Sequence, residues 1–161
     1  LDALHLLISR GVEDFTLDVL GPTDHVPEYY ELCRQKIEEL HLERWVSFRG
    51  TVDVRAQLGR YDLLLMPTTA KPAPPIGALR VETGASLAQY IELSHSYSPF
   101  TAIFNASGQP AMSVPLHWTD AGLPLGVQFV GRLGADGDLL ALAAGLEAAA
   151  PWFHRYADIA L

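Results

Sequence analysis

The side chains that could do chemistry are few and widely spaced. Ser94, His95, Ser96 and Ser98 form the densest pairing of a nucleophile type with a base type. A serine becomes a nucleophile only when a base lies within hydrogen-bond reach of its hydroxyl. Consecutive helical positions point away from one another, and no G-x-S-x-G elbow is present. The cluster therefore reads as a polar helix end. The six histidines are dispersed singly, His117 among them, and the single Cys33 excludes a cysteine zinc site. No metal and no cofactor is expected. Asp53 and Asp62 are carboxylates of the kind an acid/base pair needs, yet capping and turn roles account for both. Gly21-Pro22-Thr23-Asp24 stands where a strand turns into a helix, a place where free N–H groups can hold phosphate. Here Pro22 removes a donor, Asp24 repels an anion and the glycine spacing of a dinucleotide or P-loop fingerprint is missing, so a plain turn is expected.

The elements that must position these residues follow from periodicity. Leu4, Leu7 and Ile8 predict a short helix ended near Gly11. Phe15, Leu17 and Val19 alternate as in a strand. Pro27 suits a first helical turn, and Tyr29, Cys33, Ile37 and Leu40 predict one buried stripe on that helix. Val46 and Phe48 alternate again, and a short helix is expected from about Asp53 to Gly59. Leu63 to Met66, between Asp62 and Pro67, is an uninterrupted apolar run of the kind found in a strand buried on both faces. The α-β-α-β-α-β order predicts parallel strands over 15–20, 45–49 and 62–66, with helical crossovers.

Beyond Pro67 the pattern changes. Lys71 to Gly77 holds three prolines and predicts an extended loop. Ser86 is placed to cap a helix with Leu87, Tyr90 and Ile91. A second helix carries Phe100, Ile103 and Phe104, and Gly108-Gln109-Pro110 turns the chain. Residues 111–118 and 125–131 alternate around the Asp120-Ala121-Gly122 turn and predict a hairpin, with Pro115 at an edge or bulge. Asp136 or Asp138 caps a last helix with Leu139, Leu142, Ala143 and Leu146 inward, stopped by Pro151. A loosely docked tail to Leu161 follows. The expected fold class is α/β, three-layer α/β/α, with parallel strands from βαβαβ units and a C-terminal antiparallel hairpin, folded as a single domain over residues 1–161.

Bulk properties narrow the partners. A hydrophobic content of 49% over 161 residues suffices for a core. The net charge of −8, with 11 basic residues, argues against a nucleic-acid or anionic-membrane surface. No run reaches the roughly 18 apolar residues of a membrane span. Leu1-Asp2-Ala3-Leu4-His5 is not a signal sequence, and a chain starting without Met is expected of a fragment. A cytoplasmic location is the expectation. Trp45, Trp118 and Trp152 read as packing residues. Asn105-Ala106-Ser107 is a glycosylation sequon without a secretory context.

Two resemblances add to this. Val19-Leu20-Gly21-Pro22-Thr23-Asp24, Pro27 to Cys33 and Val46 to Arg55 resemble the second Rossmann domain of family-4 retaining glycosyltransferases, over about residues 1–66. That likeness implies a nucleobase edge at Gly50, Thr51, Val52 and Asp53. The family's diphosphate-binding Arg/Lys pair and Glu-rich motif have no counterpart here. Residues 61–161 closely resemble the C-terminal region of the amidase signature family. The residues carrying this are Tyr61 to Thr68, Pro99 to Asn105, Gly108 to Pro115 and Gly122 to Gly131. The resemblance implies amide hydrolysis by a Ser–cis-Ser–Lys triad whose members lie far upstream of this region. The only lysines, Lys36 and Lys71, match no triad position, so no catalytic residue is carried over.

Together the resemblances imply a hybrid scaffold, engineered or recombined at Tyr61 to Pro67, with no catalytic activity of its own. Three alternatives stay open. The chain is a fragment of an amidase needing an N-terminal half, a weak nucleotide-binding module, or a homodimerising module that pairs through an exposed sheet edge.

Overall fold

A computed structural model describes residues 1–53, 58–80 and 86–156. The fold class is the expected three-layer α/β/α one, with parallel strands joined through helices and a C-terminal antiparallel hairpin. The chain divides into two compact units, Leu1–Leu58 and Gly59–Leu161.

In the first unit, α1 (Asp2–Ser9) precedes β1 (Leu17–Leu20), α2 (Pro27–Glu39) and β2 (Val46–Gly50). β1 and β2 pair in parallel with Leu17 opposite Val46 and Val19 opposite Phe48. Pro27 opens α2, where a missing N–H costs nothing. The helix ends in a left-handed turn at His41, with φ of 54°. His41 N–H donates to Glu38 O at 3.2 Å and Leu42 N–H to Ile37 O at 2.9 Å, the bond pair of a Schellman cap. This turn delivers Leu42 into a core with Ile37 and Val46, against which Leu4, Ile8, Leu17, Val19 and Phe48 pack. The predicted stripe on α2 needs one correction. Tyr29 is exposed, and Tyr30 instead packs edge-on against Phe48, ring centroids 4.9 Å apart. The short helix expected over 53–59 falls largely outside the described residues, apart from a 3₁₀ turn at Leu58–Arg60. The expected tail beyond 156 lies outside them as well.

The second unit contains β3 (Leu63–Pro67), α3 (Leu87–Tyr97), α4 (Ala102–Ser107), β4 (Ala111–Trp118), β5 (Pro124–Gly131) and α5 (Asp136–Ala149). Ser86 caps α3 as expected. Its hydroxyl accepts from Gln89 N–H while Gln89 Oε1 accepts from Ser86 N–H at 2.8 Å, a complete capping box. Gly108 ends α4 in the left-handed conformation with φ of 72°. At α5 the expectation fails locally. Ala135 is the N-cap without a side-chain bond, while Asp136 and Asp138 sit in the first turn, favourable to the helix dipole. The expected inward residues of α5 hold. Leu139, Leu142, Ala143 and Leu146 belong to a core with Val114, Phe129, Val127 and Trp152.

The largest correction concerns the apolar run. The sheet order is β3-β5-β4, and β3 pairs antiparallel with β5, Leu64 opposite Val130 and Met66 opposite Gln128. The run expected to be a central parallel strand is therefore an edge strand in a different sheet from β1 and β2. Its side chains alternate between half-buried and exposed, Leu65 being 59% exposed. The physical reason is that an apolar run specifies burial without specifying neighbours. The central strand is β5, whose last four residues, Gln128 to Gly131, are all buried. β4 fulfils its prediction: it is an edge, and its register with β5 shifts between Pro115 and His117.

Candidate functional site

The hairpin and β3 place a small polar patch on one sheet face. Gln128 stands opposite both Met66 and Ser113, so these residues share a face. Two residues along the strands, Thr68 N–H donates to Gly126 O at 2.9 Å, which brings Thr68 and Gly126 to the same face. Thr68 Oγ1 and Ser113 Oγ then meet across Gly126 at 2.6 Å, either one able to donate. The glycine is what permits this. A Cβ at Gly126 would lie 2.7 Å from both hydroxyl oxygens.

Replacing Gly126 by alanine is expected to pry this hydroxyl pair apart and cost about 1–3 kcal/mol. Urea unfolding checks it, and the cost should shrink in a Ser113→Ala background, where one of the two obstacles is gone. An equal cost in both backgrounds would place the strain elsewhere.

Gln128 is buried, and its Nε2 has no hydrogen-bond partner among the described residues. Its neighbourhood is otherwise neutral, so the patch presents hydroxyls and an amide donor. A hydroxyl pair without a base is no nucleophile–base pair, and neither hydroxyl bonds a histidine, a lysine or a carboxylate in the described residues. The patch can position a group through hydrogen bonds. It cannot by itself attack one. Sequence periodicity missed it because Thr68 and Ser113 are 45 residues apart and read only as strand polar positions.

The other candidates are placed apart. Ser96 Oγ donates to Leu93 O at 2.8 Å and Ser98 pairs with Thr101 at 2.9 Å, so these serines finish a helix as expected. Asp62 pairs with Arg132 at 3.0 Å on the surface. Lys71 Nζ lies 4.9 Å from the centre of the Tyr97 ring, a cation–π contact. Lys36 is partly desolvated, which pulls its pKa down, but the Asp2 and Glu39 carboxylates, each 3.4 Å away, outweigh this and raise it. A lysine held more firmly protonated than usual cannot serve as a general base near neutrality. No peptide bond among the described residues is cis, and no three His, Cys, Asp or Glu side chains gather there around a common point. No described helix is long and apolar enough to cross a membrane.

Gly50 closes β2 with φ of 66° and accepts from Gly21 N–H at 2.9 Å. Thr51 and Asp53 are exposed and Val52 is half-buried. A groove of about 290 Å³ in this unit is lined by Val19, Gly21, Tyr29, Cys33 and Phe48, among others, and none of Gly50 to Asp53 lines it.

Comparison with known proteins decides between the two resemblances. The family model described as Amidase matches residues 24–140. A 6-aminohexanoate-cyclic-dimer hydrolase from Paenarthrobacter ureafaciens is 41% identical over 99 residues, covering 59% of this chain and 20% of that protein. The hydrolase of the same description from Pseudomonas sp. (strain NK87) matches with the same identity and coverage. A solved structure of 6-aminohexanoate cyclic dimer hydrolase superposes with a TM-score of 0.52 at 30% identity, covering 78% of this chain and 25% of that one. The chain thus spans about a fifth to a quarter of the length of these relatives.

These matches overturn the inert hybrid and the expectation that the chain is no enzyme. A single family's model runs through residues 24–66, assigned above to a glycosyltransferase-like half, and straight across the supposed join at Tyr61 to Pro67. The glycosyltransferase likeness receives no support. A match over 24–140 that bridges both stretches has one economical meaning: this chain belongs to the amidase family.

Proposed function

We propose that the chain is part of an amide hydrolase and contributes the C-terminal portion of its fold to C–N bond cleavage. The observation that carries this reading is the unbroken amidase match over residues 24–140, joined to 41% identity with cyclic-dimer hydrolases. The nucleophile and its activating residues belong, on this reading, to polypeptide of the kind the relatives carry outside the matched segment. That agrees with the chemistry in hand, because the Thr68–Ser113 pair lacks a base and Lys36 is held protonated. The substrate is a neutral amide, such as the small cyclic amide that names the relatives.

The test is a covalent exchange. The matched segment of the Paenarthrobacter hydrolase is replaced by the matching segment of this chain, and release of 6-aminohexanoate units from the cyclic dimer is followed. Turnover at least about ten-fold above the hydrolase lacking that segment is expected, since completing a misassembled site restores effects of that size. Turnover no higher than the truncated enzyme, in a product that is folded by circular dichroism, would end the reading.

A further inference from the structure

The two edges of the β3-β5-β4 sheet are built differently. β4 carries Pro115, which cannot donate to a neighbour, and its register is broken between Pro115 and His117. Both devices blunt an edge against pairing. β3 has neither. Leu63 to Met66 contains no charge and no proline, its register with β5 runs unbroken, and among the described residues its outer edge pairs with no strand. An edge of this composition is a template for another strand.

The face beside that edge is also uncovered. Leu63 and Leu65 stand opposite Gly131 and Phe129, on the face that α5 packs against. That helix rests on β4 and β5, while Leu63 is 36% and Leu65 59% exposed. The combination of an open edge and bare leucines asks for a partner with both a strand and an apolar cover.

We propose that β3 is the docking edge for the remainder of an amidase polypeptide, which adds a strand alongside Leu63–Pro67 and covers Leu63 and Leu65. This rests on the amide-hydrolase reading above. The relatives hold about four-fifths of their length outside the matched segment, so the covering polypeptide exists in them. A second copy of this chain is disfavoured by the net charge of −8, which each copy would bring to the contact.

The test uses this chain and, as probe, the Paenarthrobacter hydrolase lacking its matched C-terminal segment, co-expressed with separate tags. The two should co-purify as a one-to-one complex, and hydrogen exchange at the β3 amides should slow on binding. Leu65→Lys changes an exposed residue and should leave the fold intact by circular dichroism, yet weaken the complex at least about ten-fold. Leu140→Lys, at an exposed position on α5, should bind as the wild type does. Equal binding by both variants, no complex at all, or a homodimer of this chain abolished by Leu65→Lys would each overturn the proposal. A complex that forms as described but hydrolyses nothing, together with a silent covalent exchange, would retain the docking edge and remove the hydrolase reading.

Discussion

Replacing Val130 by aspartate should unfold the second unit. Val130 is 1% exposed on the central strand, flanked by Leu64 on one side and Ala111 on the other. A carboxylate there has no cation among its strand neighbours and no water to solvate it. It must either remain charged at high cost or take up a proton, and both weaken the folded state by at least about 3 kcal/mol. Whole-domain stabilities are only about 5–15 kcal/mol, so a loss of this size removes much of the margin. Two-dimensional ¹H–¹⁵N NMR reads the result unit by unit, which matters because two units need not unfold together. The expected spectrum loses the dispersed signals of β4, β5 and α5. Retention of those signals at their wild-type positions would show that β5 is not the buried strand.

In the first unit, Leu42→Ala should cost about 2–5 kcal/mol, the range for deleting a fully buried leucine side chain. Leu42 is 0% exposed and reaches the core only because the cap at His41 turns the chain inward. Its N–H closes the helix onto Ile37 O, and its own carbonyl accepts from Trp45 N–H at 2.9 Å and Val46 N–H at 3.1 Å. The alanine keeps these backbone bonds and removes only the packing, so the helix should persist while its junction with β2 loosens. Urea unfolding followed by Trp45 fluorescence reads the change, since Trp45 Nε1 donates to Glu13 O at 3.0 Å within this unit. A loss below about 1 kcal/mol would mean the site collapses around the gap or is wetter than its burial indicates.

Both predictions depend on positions that the sequence marked unevenly. Ile37 was legible as a core residue from helical spacing, and the hairpin of β4 and β5 from alternation around Asp120-Ala121-Gly122. Leu42 was not, because nothing in His41 announces a left-handed turn that glycine usually supplies. The Ser86 cap was legible, since a serine followed three residues later by a glutamine satisfies both ends of a capping box locally. The cap of α5 was not, since acidic residues suit both the N-cap and the first turn.

The functional reading divides in the same way. The amidase resemblance lay in short motifs from Tyr61 to Gly131, and comparison with known proteins extended it back to residue 24. The glycosyltransferase resemblance rested on elements common to parallel α/β units, which many functions share, and it did not survive. The reading of an inert hybrid failed with it, because it took a shared strand for a seam.

What the sequence by itself determined is the type and order of elements and the absence of a complete catalytic set in these residues. Those depend on local periodicity and on which side chains are present. What only the tertiary structure decided is adjacency. It moved the apolar run from Leu63 to Met66 out to an edge, made β5 the buried strand, and joined Thr68 to Ser113 across Gly126. Strand pairing is a non-local choice among surfaces of similar apolarity, so periodicity cannot rank the partners.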